Sequence, residues 1–134
     1  MTLARRKAAT KAEAAYQDRA RELGCVVCRH RHPKDGPRFD PWMHQGGATE
    51  IHHRNLGDLH GQKQLGQDAV VALCSYHHRG VIPHGWSPRD AREQWGPSFA
   101  LHPRDFREWT YDVLPGLGKG TEAWQKYQDE LLGE

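Results

Sequence analysis

The stretch "AVVALCSYHHRG", residues 69–80, decides how this chain is read. An apolar run delivers the backbone into Cys74, and the polar segment behind it reads as a short helix ended by Gly80 and Pro83. On such a helix Cys74 and His77 stand one turn apart and share a face. His78 then lies about 100° further round and must look elsewhere. One segment thus offers two separate sets of ligands.

Upstream, Cys25 and Cys28 form a C-x2-C pair to answer the C-x2-H pair of Cys74 and His77. Two such half-sites, each at a tight turn or helix start, close a tetrahedral Cys3His site for structural Zn2+. The set uses all three cysteines of the chain, whereas three unrelated buried thiols would leave both spacings unexplained. An odd number of cysteines also argues against a disulfide framework, and a reducing compartment keeps them as thiols.

A second histidine pair, His52 and His53, closes "ATEIHH", a short strand candidate. Neighbours on a strand point to opposite faces, so the two imidazoles have different jobs. One could hold a metal while the other handles a proton; the bland alternative is a solvated pair in a polar loop.

At 134 residues the chain is one domain's worth. A mean hydropathy of −0.89 and 37% hydrophobic residues leave a thin apolar core, which metal binding would offset because it contributes directly to folding. No apolar run approaches the length of a membrane span, and "MTLARRKAATK" lacks the apolar stretch of a secretory signal, so a soluble, cytoplasmic protein without membrane contact is expected. The formal charge of +2 hides a basic first quarter, with Arg5, Arg6 and Lys7 at its start. Such a run suits a phosphate backbone, or merely solvates a helix face.

Thr10 and Glu13 have capping-box spacing, which predicts a helix over 11–23 with Ala12, Tyr16, Ala20 and Leu23 on one face and Gly24 as its stop. Residues 29–47 read as a long loop. "SPRDAREQWG" predicts a helix with Ser87 as cap, Pro88 in its first turn and Gly96 as terminator. "PRDFREWTYDV" and "TEAWQKYQDELL" predict two more, the last with Trp124, Tyr127 and Leu131 on a core-facing stripe.

The order "GCVVC", "IHH", "VALCSYHHRG" and "IPHG" resembles the HNH (His-Me finger, ββα-metal) nucleases, and within them the phage recombination-enhancement, RecA-dependent nuclease family. The similar region runs from Gly24 to about Phe106, since "GPSFALHPRDF" also looks like that family's segment. The resemblance implies a small α+β fold: a basic arm and helix at 1–23, a zinc-stapled ββα-metal core at 24–106 and a C-terminal helical extension at 107–134, together one domain. It implies a divalent-metal-dependent DNA endonuclease of a phage or prophage, with the RecA filament as a partner. His52 and His78 would bind the catalytic Mg2+ or Mn2+, and His53 would be the general base. His84 matches the family's later histidine and is the candidate third ligand. It departs from the common spacing, standing six residues beyond His78 with Gly80 and Pro83 between, so it would have to reach the metal from a loop.

Arg54 and Arg79 each follow a histidine pair and, with Arg5, Arg6 and Lys7, are expected to position DNA phosphates. His60 reads as a solvated loop histidine, and His30, His32 and His44 have no motif support. Two other classes stay open: a zinc-stapled nucleic-acid-binding module without catalysis, and an adaptor in a recombination or packaging complex that docks through its aromatic C-terminal helices.

Overall fold

The computed structural model describes residues 8–31, 49–55, 58 and 65–133. Arg5, Arg6, Lys7, His32, His44, His60 and most of the 29–47 stretch lie outside the described residues. Among the described residues the order is α1 (Lys11–Leu23), α2 (Val26–Arg31), β1 (Glu50–His53), β2 (Val70–Leu73), α3 (Ser75–Arg79), α4 (Pro88–Trp95), α5 (Pro103–Asp112) and α6 (Thr121–Leu132). This is a small α+β fold, and no helix in it is long and apolar enough to cross a membrane.

Local chemistry explains most of these boundaries. The Thr10 hydroxyl accepts from the Glu13 amide (3.1 Å) while the Glu13 carboxylate accepts from the Thr10 amide (2.9 Å), a complete capping box for α1. Ser87 caps α4 through the Asp90 amide, and Gly96 ends it. The inward face of α1 is rotated from expectation: Gln17 and Ala20 are buried, whereas Ala12 is exposed. Gln17 goes inside because its amide donates to the Gln67 carbonyl at 2.7 Å, a polar need that apolar periodicity does not register.

Residues 29–31, expected to be loop, are helical as the end of α2. Val26 and Val27 anchor that helix in the core. Its polar end is bonded as well: His30 Nε2 donates to the Pro115 carbonyl (2.6 Å), and Arg31 donates to the Gln94 carbonyl (3.2 Å) while lying over the Trp109 ring.

β1 and β2 pair antiparallel, from Glu50 opposite Leu73 to His53 opposite Val70. β2 is buried throughout, with α1, α2, α3 and α6 all packed on it. Its outer edge meets α6, where the Gln128 amide imitates a neighbouring strand. The Ala72 N–H donates to Gln128 Oε1 (2.8 Å), and Gln128 Nε2 donates to the Val70 carbonyl (3.1 Å). Tyr16 then joins α1 to α6, its hydroxyl donating to Asp129 and accepting from Gln125 and Gln128.

The C-terminal helices supply the core as much as the middle of the chain does. Trp124 is fully buried, edge-on to Phe99 and Phe106, and its indole N–H donates to Thr110 Oγ1 and the Gly118 carbonyl. Tyr127 is half-buried, but Leu131 is 41% exposed and leaves the expected stripe. Asp58 reaches across to the start of α6, where its carboxylate accepts from the Thr121 amide (2.9 Å) and hydroxyl. Gly120 is required at that corner, since its φ is 114° and a Cβ would fall 2.7 Å from the Asp58 carboxylate.

Replacing Gln128 with Leu keeps most of its volume but strips two buried backbone groups of their partners. The Gln128→Leu protein should be less stable by about 2–4 kcal/mol, read as a lower denaturation midpoint of the zinc-loaded chain with unchanged helix content.

Candidate functional site

Two short helix starts build the metal cluster. Cys25 immediately precedes α2 and Cys28 lies within it, while Cys74 caps α3 and His77 lies one turn on. His77 Nδ1 is 3.7 Å from Cys25 Sγ, 3.5 Å from Cys28 Sγ and 3.3 Å from Cys74 Sγ. Tetrahedral zinc, with bonds of about 2.3 Å to sulfur and 2.0–2.1 Å to nitrogen, separates sulfur from nitrogen by roughly 3.5 Å. All four ligand atoms lie within 4.8 Å of one another.

The surroundings suit a cation. His77 Nε2 donates to the Trp95 carbonyl (2.8 Å), which fixes the tautomer that leaves a lone pair on Nδ1. Burial opposes ionisation of Cys25, yet Cys28, Cys74 and His77 beside it hold its thiol well below the ordinary range. At Cys74, burial together with Cys25 and Cys28 pushes the thiol well above it. Three adjacent sulfurs cannot all carry charge unaided, and a divalent cation removes that conflict. The residues fit structural zinc.

His78 looks away from this cluster, as the helical geometry requires. Its Nε2 lies 3.2 Å from Nδ1 of His52. Its other nitrogen, Nδ1, is 2.8 Å from Glu50 Oε1, so a carboxylate holds the ring from behind. Glu50 is itself fastened by paired bonds from Arg79 (2.8 and 2.6 Å) and by the Ser75 hydroxyl (2.9 Å). The Arg79 guanidinium, against the opposition of partial burial and with help from His78 and Ser75, lowers the Glu50 pKa to about 2. The carboxylate is therefore an anion at any neutral pH, available to orient an imidazole N–H.

Two nitrogens bound to one cation at about 2.1 Å stand roughly 3.0–3.4 Å apart. The His52–His78 spacing of 3.2 Å falls in that window, and it equally suits an N–H···N hydrogen bond. Among the described residues, Cys25, Cys28, Cys74 and His77 are the one group of three or more His, Cys, Asp or Glu ligands close enough to share an ion. His84 is exposed in the turn after α3 and is not brought to the pair.

The pair opens on a cavity of about 690 Å³ whose lining includes His52, His78, Arg79, Arg104, Arg107 and Lys119. Phe99 forms part of its lining, with its ring 5.0 Å from that of His52. His53 is half-buried and does not line this cavity; strand alternation sends it to the other face of β1 from His52. Arg54 turns to α6, donating to Thr121 Oγ1 (3.1 Å) and Gln125 Oε1.

No protein-family model, curated protein or solved structure matches this chain. Sequence reasoning missed Glu50, although it lies two residues before His52 on the same strand face. It also missed Arg104 and Arg107, whose spacing in "PRDFREW" puts both on one helix face.

The purified chain should contain stoichiometric zinc by elemental analysis. Cys74→Ser should lose that zinc together with near-ultraviolet tertiary signal, and a strong chelator should unfold the wild type, since such sites contribute about 10–16 kcal/mol of apparent binding energy at neutral pH.

Proposed function

We propose that this chain is a metal-dependent DNA endonuclease of the HNH type, hydrolysing phosphodiester bonds beside β1 and α3. The observation that supports the reading best is the His52–His78 nitrogen pair, backed by Glu50 and facing a cavity with cationic walls. His52 and His78 would hold Mg2+ or Mn2+, which when bound supplies stabilisation of the charge that develops on the phosphate.

The chain's own residues have the remaining tasks. Glu50 keeps the His78 ring in register, with Arg79 and Ser75 keeping Glu50 in place. His53 takes the proton from the attacking water as its oxygen bonds to phosphorus and the bond to the 3′ oxygen breaks. The resemblance alone implies His84 as a third ligand, which would have to move to the pair from the exposed turn after α3; the arm at Arg5, Arg6 and Lys7 finds DNA electrostatically. Arg79, 58% exposed while fastened to Glu50, is the phosphate-positioning residue nearest the pair in sequence. The resemblance named above is the basis for the finer parts: a phage or prophage origin, a cytoplasmic site of action in the bacterial host, and cleavage where RecA coats single-stranded DNA.

A second reading has its own observation. His53 stands outside the cavity lining and Arg54 is engaged by α6, which favours a zinc-stapled nucleic-acid-binding module without catalysis.

A nicking assay separates the two. Wild type, His53→Ala and His52→Ala are incubated with supercoiled and single-stranded circular DNA, Mg2+ or Mn2+, with and without RecA and ATP. The nuclease reading expects cleavage by wild type and a loss of about 100-fold or more in each folded, zinc-loaded variant. Cleavage confined to the RecA lanes supports the finer proposal. DNA binding with no cleavage under any of these conditions establishes the binding module instead.

A further inference from the structure

Part of the cavity lining comes from α5 and the α5–α6 connection, neither of which the histidine motifs foreshadow. Arg104, Arg107 and Glu108 occupy i, i+3 and i+4 positions of α5 and therefore share one face. Lys119 joins them from the connection, so the lining holds four cationic side chains, with Arg79, against Asp58 and Glu108.

These cations differ in what already holds them. Arg79 is fastened to Glu50, and Arg107 Nε lies 3.8 Å from the Asp58 carboxylate. Arg104 and Lys119 are exposed and belong to no ion pair among the described residues. A guanidinium and an ammonium in a concave, partly apolar site concentrate positive potential where an anion can enter. They come from two separate elements and line the same cavity as the histidine pair. That layout suits consecutive phosphates of one strand better than a single small anion.

We propose that Arg104 and Lys119 form a phosphate clamp that seats a nucleic-acid strand in this cavity, its backbone running along the α5 wall. The proposal rests on the nucleic-acid part of the reading above and is independent of whether the strand is cut. It moves the main contact surface from the N-terminal arm and the arginines beside the histidine pairs to the C-terminal third of the chain. Both side chains are exposed, so removing them should leave the zinc core intact.

Binding of a labelled oligonucleotide, single-stranded and duplex, is measured by fluorescence anisotropy in zinc-loaded protein between about 50 and 200 mM salt. The Arg104→Ala/Lys119→Ala protein should bind roughly 10- to 60-fold more weakly near 0.1 M salt. Its plot of log affinity against log salt should be shallower by about 1.4–1.8, the counterion release of two phosphate contacts. An Arg89→Ala/Lys126→Ala control, outside the cavity, should follow the wild type. Unchanged affinity and slope in the clamp variant overturn the proposal, as does an equal loss in the control. Displacement of the oligonucleotide by polyglutamate at equal charge concentration overturns it in favour of an acidic polypeptide partner. Wild type that binds but does not cut sinks the nuclease reading and leaves the clamp standing. Wild-type cutting with unchanged binding in the clamp variant does the reverse.

Discussion

Everything in this fold depends on three sulfurs and one imidazole nitrogen that share a buried space. The two helices that carry them, α2 with six residues and α3 with five, are too short to persist alone. Their common ion would cross-link residues 25–28 to residues 74–77. The cysteines belong to the same apolar cluster as Leu73, Phe106 and Trp124, so the metal centre lies within the core and does not merely hang from it. A chain this polar would gain rigidity from coordination at that cluster as well as from packing.

The adjacency of His77 and His78 makes that rigidity useful. One imidazole faces the sulfurs and the next faces the cavity, so anything that fixes the helix at the first fixes the second to within its rotamer. The Phe99 and Ala100 amides donate to the His77 and His78 carbonyls, covering the end of α3. Gly80 permits that close approach, because a Cβ there would meet Leu101 at 2.5 Å. The cavity lining at Phe99 and Ala100 is thereby bonded to the helix that bears His77 and His78.

Much of this was legible in the sequence wherever a local rule controls the outcome. Thr10 and Glu13, Ser87 and Gly96, and the paired C-x2-C and C-x2-H spacings state short-range requirements, and the chain meets them. The rest depends on partners far away in the chain. Val26 to Arg31 is too short for a helical period, and its helix survives on burial of two valines and tertiary bonds to Pro115 and Gln94. Glu50 is one more acid until Arg79, Ser75 and His78 converge on it. Arg54 looked like a cation awaiting phosphate, and Thr121 and Gln125 claim it.

A sheet of two strands has as many edges as strands, and each bare edge is an invitation to a neighbouring molecule. Gln128 declines that invitation on the β2 side by presenting a side-chain amide where another backbone would otherwise dock. The helix bearing it can therefore lie against the strand as a chaperoning cover, and copies of this chain are denied one route to self-association. The strand on the other side of the pair, β1, is the one that delivers His52 to the cavity.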